Sequence, residues 1–235
     1  MAPVSERAGA ARALTMALIL SALVFTLWPG VDLWVSGLFY DPVQGFWLAR
    51  SSLLEAWRDL AWNLSIGMFL LALAGLGFGL FKKRFLGAGV RIWGFIAALY
   101  LAGPILLVNA VLKEHWGRAR PANSDVFGGG EGFSPALIPS DQCASNCSFV
   151  SGEGSAAVTL GIAMLALMPV VQRHLPVRAL KIWRFSALLI PLATLAQRIA
   201  TGRHFLSDSV FATLFMLGIA LILWRLILAP AERGV

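Results

Sequence analysis

The chain has 235 residues, of which 58% are hydrophobic and 13% charged, with a net charge of +7 and a mean hydropathy of +0.77. Soluble domains carry roughly 45–50% apolar and about 25% charged residues, so this composition excludes an ordinary cytosolic globule, a disordered chain and a nucleic-acid-binding domain. The cations lie mostly between apolar runs, so they indicate membrane topology rather than a polyanionic partner. We expect a single transmembrane domain over residues 1–235.

Six apolar stretches predict six membrane-spanning helices, since a span needs about 20 mostly apolar residues. In chain order they are Ala13–Gly30, Leu60–Phe81, Ile92–Leu112, Gly154–Val171, Ile182–Gln197 and Ser209–Trp224. Gly75, Gly77 and Gly79 in the second stretch favour close helix packing. The expected fold is an all-α six-helix bundle embedded in the bilayer.

The distribution of cations predicts the orientation of the bundle. With both termini in the cytoplasm, 12 of the 19 Lys and Arg residues fall on the inner side, among them Lys82, Lys83 and Arg233. This matches the excess of cations in cytoplasmic loops of membrane proteins. The outer segments Val31–Asp59 and Lys113–Val150 are long, and long loops are commonly functional. We expect Lys113–Val150, between the third and fourth helices, to be folded and to line a site.

Unusual polar residues collect in three segments that this topology places at the outer membrane edge. The first runs from Lys113 to Pro121, the second from Cys147 to Ser155, and the third from Gln197 to Asp208. Because all three lie on one face of the membrane, we expect them to meet around one bound group.

The residue types in these segments suit a tetrahedral anion. Lys113, Arg120 and Arg198 stand where apolar helices end, and they can complement phosphate as a point charge or through a two-donor fork. Ser151 and Gly152 precede a helix whose first N–H groups favour an anion. Each of these features also has a structural explanation, as an interfacial anchor or a helix cap.

His204 and Asp208 predict a nucleophile with an orienting carboxylate. They are one helical turn apart, so the carboxylate can hold one ring nitrogen and leave the other free to attack. Combined with the cations, this pattern predicts phosphoryl transfer through a phosphohistidine. Arg118 and Arg203 are expected to be loop residues or lipid headgroup contacts rather than part of the chemistry.

The three segments resemble the motifs of the type 2 phosphatidic acid phosphatase (PAP2) superfamily of membrane lipid phosphatases. The first motif, Lys followed by six residues and Arg-Pro, matches Lys113 and Arg120-Pro121, and the third matches Arg198, His204 and Asp208. The resemblance implies a metal-independent phosphatase without a cofactor, in which His204 attacks phosphorus and Asp208 orients it. It also implies that the phosphate is held by Lys113, Arg120, Arg198, Ser151 and the Gly152 amide.

The second motif departs from the family pattern, because Val150-Ser151-Gly152-Glu153 stands where Pro-Ser-Gly-His is usual. Gln197 also replaces the Ser that normally precedes the third-motif Arg. The family's His protonates the leaving group, whereas a Glu among cations should have a lowered pKa and be a poor acid. Three alternatives follow: His115 supplies the proton, Glu153 acts as a base toward water, or the leaving group is a diphosphate or anomeric sugar phosphate that needs little help.

Cys143 and Cys147 lie directly before the second motif. Outside a bacterial inner membrane the compartment is oxidising, so we expect a disulfide that closes a small turn. The alternative is two independent thiols.

The sequence therefore predicts a bacterial inner-membrane lipid phosphatase with a periplasmic active site. Its partners are the bilayer and a lipid phosphate, with lipid A as the first candidate substrate. Undecaprenyl diphosphate, phosphatidylglycerophosphate and phosphatidic acid are the next candidates. A phosphotransferase that passes phosphate to a second lipid is the enzymatic alternative, and a non-catalytic lipid carrier is the alternative of a different class.

Overall fold

The computed structural model describes residues 4–81 and 84–229 and is mostly helical. Its helices are α1 (Val4–Leu27), α2 (Gly30–Gly37), α3 (Ser52–Phe81), α4 (Val90–His115), α5 (Gly152–Ala166), α6 (Met168–Val171), α7 (Val177–Ala200) and α8 (Leu206–Leu228). Two antiparallel hairpins pair β1 (Tyr40–Asp41) with β2 (Gly45–Phe46) and β3 (Arg84–Phe85) with β4 (Ala88–Gly89). The inner-face cations Lys82, Lys83 and Arg233 lie outside the described residues.

Five helices in the described part of the chain are long and apolar enough to cross a membrane. They lie within α1, α3, α4, α7 and α8, and each overlaps one predicted span. The remaining predicted span, Gly154–Val171, falls on the shorter helices α5 and α6. The prediction of a helical membrane protein is confirmed at this level.

Helix α5 lies at the centre of the bundle and contacts α3, α4, α7 and α8. Eleven of its 15 residues are buried, and many of them are Gly, Ala or Ser, which lets neighbouring backbones approach closely. A Cβ atom at Gly161 would lie 2.4 Å from the carbonyl oxygen of Ala187 in α7. This packing fixes the N-terminus of α5, which lies within the second polar segment.

The predicted packing role of the α3 glycines is confirmed for two of the three. A Cβ atom at Gly75 would lie 2.4 Å from the Trp93 ring, and one at Gly79 would lie 2.8 Å from the Val90 side chain. At Gly77 such an atom would meet nothing within 4 Å. Helix α3 is therefore held against the first turns of α4.

The segment between α4 and α5 is tied to the end of α4 by backbone hydrogen bonds. Ser140 N donates to Trp116 O at 2.9 Å, Cys147 N to Lys113 O at 3.0 Å, and Ser148 N to Arg118 O at 2.8 Å. At Gly117 the chain turns with φ +71°, and a Cβ atom there would collide with the Ser140 carbonyl. These contacts bring the first and second polar segments side by side.

The turn between α7 and α8 packs against aromatic side chains from the N-terminal hairpin and from the segment between α4 and α5. Phe46, Phe127 and Phe205 form a buried cluster with Tyr40 packed against it. Gly202 in this turn has φ +67°, and a Cβ atom there would lie 2.4 Å from the Phe46 ring. The cluster fixes the turn that presents His204.

Candidate active site

A polar cavity of about 340 Å³ lies where the three polar segments meet. It is lined by Glu55, Arg58, Trp62, Asn109, Lys113, Arg120, Asn146, Gly152, Glu153, Arg198, Arg203 and His204. The structure therefore brings together the three cations that the sequence singled out, the imidazole, and the start of α5.

His204 is buried in the turn between α7 and α8, and its ring is held by the main chain. Nδ1 lies 2.8 Å from Ser148 O, whereas the nearest Asp208 oxygen is 3.6 Å away. Because a carbonyl oxygen only accepts hydrogen bonds, Nδ1 carries the ring proton and Nε2 keeps its lone pair. Burial lowers the pKa of His204 to about 4, despite the opposing effect of Asp208, so the ring is neutral near pH 7.

Asp208 lies in the first turn of α8, and its oxygens are used by donors other than the imidazole. Oδ2 accepts from Ser148 Oγ at 2.5 Å and from Phe205 N at 2.9 Å, and Oδ1 accepts from Arg118 Nη1 at 2.7 Å. The carboxylate therefore holds Ser148, whose carbonyl in turn holds the imidazole.

Arg118 is the residue for which the sequence interpretation is wrong, because it is fully buried rather than a loop or headgroup contact. Its Nη2 donates to Asp32 Oδ2 at 2.8 Å, its Nε donates to Ser134 O at 2.9 Å, and its guanidinium lies 4.3 Å above the Phe205 ring centre. Asp32 also accepts from Ser207 N at 2.8 Å. Asp32 was not singled out and Arg118 was misplaced, because a charge at the end of an apolar run gives no sign of its distant partner.

The three phosphate-binding candidates are anchored differently. Lys113 Nζ donates to Cys147 O at 3.0 Å, and Arg120 Nη2 donates to Asn146 O at 2.8 Å. Arg198, in the last turn of α7, pairs with Glu153 at 2.8 Å. All three project into the same cavity from different segments.

Ser151 and Gly152 begin α5 but occupy different places. The Ser151 hydroxyl is fully buried and caps the helix by accepting from Gly154 N at 3.2 Å, and Ser151 is not among the residues that line the cavity. Gly152 does line it, and a Cβ atom there would lie 3.2 Å from Asn109 Oδ1. The geometry favours the Gly152 amide over the Ser151 hydroxyl as an anion contact.

Glu153 is held between two arginines. Arg58 Nε donates to its Oε1 at 2.8 Å, and Arg198 Nε lies 2.8 Å from its Oε2. Burial by itself raises the pKa of Glu153, but Arg198 and Arg58 outweigh burial and hold the pKa below its ordinary value. Arg58, on α3, is a further residue that the sequence motifs did not reveal.

The remaining candidates are placed as follows. His115 is exposed and does not line the cavity, whereas Arg203 is exposed at the cavity wall. Cys143 and Cys147 are joined in a disulfide, with their Cα atoms 5.6 Å apart. The disulfide turn carries Asn146 and Cys147, whose carbonyls accept from Arg120 and Lys113.

Comparison with known proteins assigns the chain to a family. Residues 91–231, more than half of the chain, match the PAP2 superfamily. The chain belongs to the PAP2 superfamily. The matched region contains all three polar segments, while α2 and α3, which carry Asp32 and Arg58, precede it. No solved structure gives a significant match to this PAP2 protein.

Three relatives carry the name Lipid A 4′-phosphatase. The Francisella tularensis subsp. novicida protein is 32% identical over 208 residues, which cover 83% of this chain and 85% of the relative. The Rhizobium leguminosarum protein is 44% identical over 48% of this chain and 46% of the relative. The Rhizobium etli protein is 44% identical over 46% and 39%. The chain thus spans most of the Francisella protein and less than half of the Rhizobium proteins. Family and relatives together indicate a phosphomonoester hydrolase.

Proposed function

We propose that this PAP2 protein removes phosphate from lipid A at the periplasmic face of a bacterial inner membrane, through a phosphohistidine on His204. The observation that carries the proposal is the free Nε2 of a neutral imidazole beside Lys113, Arg120 and Arg198 in one cavity. The Francisella relative, which aligns over most of its length, supports lipid A as the substrate.

The proposed topology is a single six-helix domain over residues 1–235. Five of its helices are the long ones described above, and α5, at the centre, completes the six. Residues 116–151 form a folded outer loop. The excess of cations on the opposite side favours cytoplasmic termini and a periplasmic cavity. The exposed indoles of Trp28, Trp34 and Trp47 suit a position at a membrane interface, where Trp is enriched. The acyl chains of the substrate then remain in the outer leaflet while the phosphate enters the cavity.

In the first step, Nε2 of His204 attacks phosphorus and the bond from phosphorus to the lipid oxygen breaks. The three cations and the Gly152 amide balance the charge on the phosphoryl oxygens. Ser148 O and Asp208 stabilise the positive charge that develops on the imidazole. Because Glu153 is held ionised by Arg58 and Arg198, solvent rather than Glu153 protonates the departing oxygen.

In the second step, water attacks the phosphohistidine and Glu153 accepts a proton from that water. The bond between Nε2 and phosphorus breaks, inorganic phosphate leaves, and His204 returns to its neutral form. An anion held between two arginines is a weak base. We therefore expect the rate of this step to depend on how Glu153 is placed relative to the attacking water.

Phosphate release by the purified protein tests the proposal. Lipid A carrying both an anomeric and a 4′-phosphate is compared with undecaprenyl diphosphate, phosphatidylglycerophosphate and phosphatidic acid, each with wild type and His204→Ala. We expect release from lipid A by the wild type and none by the variant. Absence of release from lipid A overturns the proposal, and release only when an acceptor lipid is present indicates a phosphotransferase instead. Release of phosphate from none of the lipids, with lipid binding retained in His204→Ala, indicates a carrier.

A further inference from the structure

One face of α3 contributes side chains to the cavity that phosphate binding does not explain. Glu55, Arg58 and Trp62 have the spacing i, i+3 and i+7, which places them on the same side of a helix, and all three line the cavity. This face lies before residue 91, where the match to the PAP2 superfamily begins. The family match therefore does not describe this face.

The cavity lining carries charges of both signs. Lys113, Arg120 and Arg198 suit a phosphate, whereas the Glu55 carboxylate on α3 repels an anion. The cavity of about 340 Å³ lies in the range of small-molecule sites, about 300–1,000 Å³, so there is space for more than a phosphate. We therefore expect the group that carries the phosphate to lie beside Glu55 on α3.

Arg58 fixes the position of this face. Its Nε donates to Glu153 Oε1 at 2.8 Å, and its Nη1 contacts Glu55. Within the described chain no partner is found for Nη2, which leaves its two N–H groups for a ligand. The arginine therefore joins the α3 face to the start of α5 beside the phosphate site.

The composition of the face selects a class of ligand. A carboxylate accepts from hydroxyl and amide groups, a guanidinium donates to ring and carbonyl oxygens, and an indole packs against apolar C–H groups. Trp62 is 40% exposed, so its indole is accessible. An N-acylated sugar ring offers all of these groups next to its phosphate, whereas a prenyl chain offers none of the polar ones.

We propose that Glu55, Arg58 and Trp62 form a subsite for the sugar ring that bears the phosphate. The inference rests on the proposed function and specifies which part of the protein distinguishes a sugar phosphate lipid from other lipid phosphates.

The test uses Trp62→Ala and Glu55→Gln in the full-length protein, with lipid A as substrate and inorganic phosphate as a competitive inhibitor. Inorganic phosphate probes the phosphate part of the cavity alone. We expect the KM for lipid A to rise about tenfold, as for loss of one stacking or hydrogen-bonding contact, while the Ki of inorganic phosphate changes less than about twofold. Trp34→Ala removes an exposed indole from α2 outside the cavity and should leave both values near wild type.

Other outcomes separate this inference from the proposed function. An unchanged KM in both variants, or a parallel rise in KM and Ki, overturns the subsite while leaving the phosphatase assignment intact. A wild-type protein that does not cleave lipid A overturns the proposed function and the subsite together.

Discussion

Arg118 and Asp32 lie 86 residues apart in the chain and form an ion pair of 2.8 Å that is excluded from solvent. Arg118 also donates to Asp208 at 2.7 Å, so a residue of the short helix α2 is linked to the turn that carries His204, the proposed nucleophile. Asp32 lies outside the region that matches the family, yet it helps to hold this turn.

Replacing Asp32 by Asn should destabilise the protein and lower turnover. Arg118 loses one of its two anionic partners, and breaking a buried pair costs about 3–5 kcal/mol. We expect a lower unfolding temperature in detergent and a reduced kcat. Asp41→Asn is the matched control, because the Asp41 carboxylate accepts from Val43 N and Gln44 N at an exposed turn. A wild-type unfolding temperature in Asp32→Asn would contradict the account.

The protonation of His204 should follow its buried environment. Burial lowers its pKa to about 4, compared with about 6.5 for an unperturbed histidine. The protonated ring has no lone pair on Nε2, so the active form persists through pH 5–6 and is lost only as the pH falls through the lowered pKa.

Nitrogen NMR of protein labelled with ¹⁵N-histidine measures this directly. The chain has three histidines, and His204 is assigned by its absence in His204→Ala. The spectrum should show a proton on Nδ1 and none on Nε2 at pH 7. Titration of His204 near pH 6.5, or a proton on Nε2, would show that the arrangement with Ser148 is wrong.

Glu153 and His115 are distinguished by paired substitutions. Glu153→Gln should lower turnover by about 10²-fold or more, the usual contribution of a positioned acid or base. His115→Ala should retain nearly wild-type turnover, because the side chain is exposed and away from the cavity. Steady-state phosphate release measures both, and the reverse ranking would assign proton transfer to His115.

Reduction of the Cys143–Cys147 disulfide should lower activity. The turn that it closes holds Lys113 through Cys147 O and Arg120 through Asn146, and misplacement by about 1 Å can cost about 10²-fold. We expect the wild type to lose activity in dithiothreitol and the double variant Cys143→Ser, Cys147→Ser to be slow with or without it. Equal activity of reduced and oxidised wild type would show that the turn holds its shape without the bond.

The sequence predicted the convergence of Lys113, Arg120, Arg198 and His204, because the ends of packed helices on one face of the membrane lie close to one another. It predicted the helices from the length of the apolar runs. Helical spacing brings Asp208 Oδ2 to 3.6 Å from Nδ1 of His204, and the packing of the outer loop adds Ser148 O, at 2.8 Å, which the sequence did not reveal.

The contributions of Asp32, Arg58 and Arg118 could not be predicted from local patterns. Each is a charged residue near the end of an apolar run, where an interfacial position is the usual outcome. Their partners are distant in the chain, and three-dimensional packing alone reveals them. The span predicted over Gly154–Val171 is divided between α5 and α6, and the sequence did not reveal this because small apolar residues suit a buried helix and a lipid-facing one equally.

The central claim is that phosphate is transferred to Nε2 of His204. Purified protein is mixed with ³²P-labelled lipid A and quenched in alkali, which preserves a phosphorus–nitrogen bond. The account predicts an acid-labile label on the wild type, a longer-lived label on Glu153→Gln, and no label on His204→Ala. Release of labelled phosphate by the wild type, with no label on either the wild type or Glu153→Gln, would contradict it.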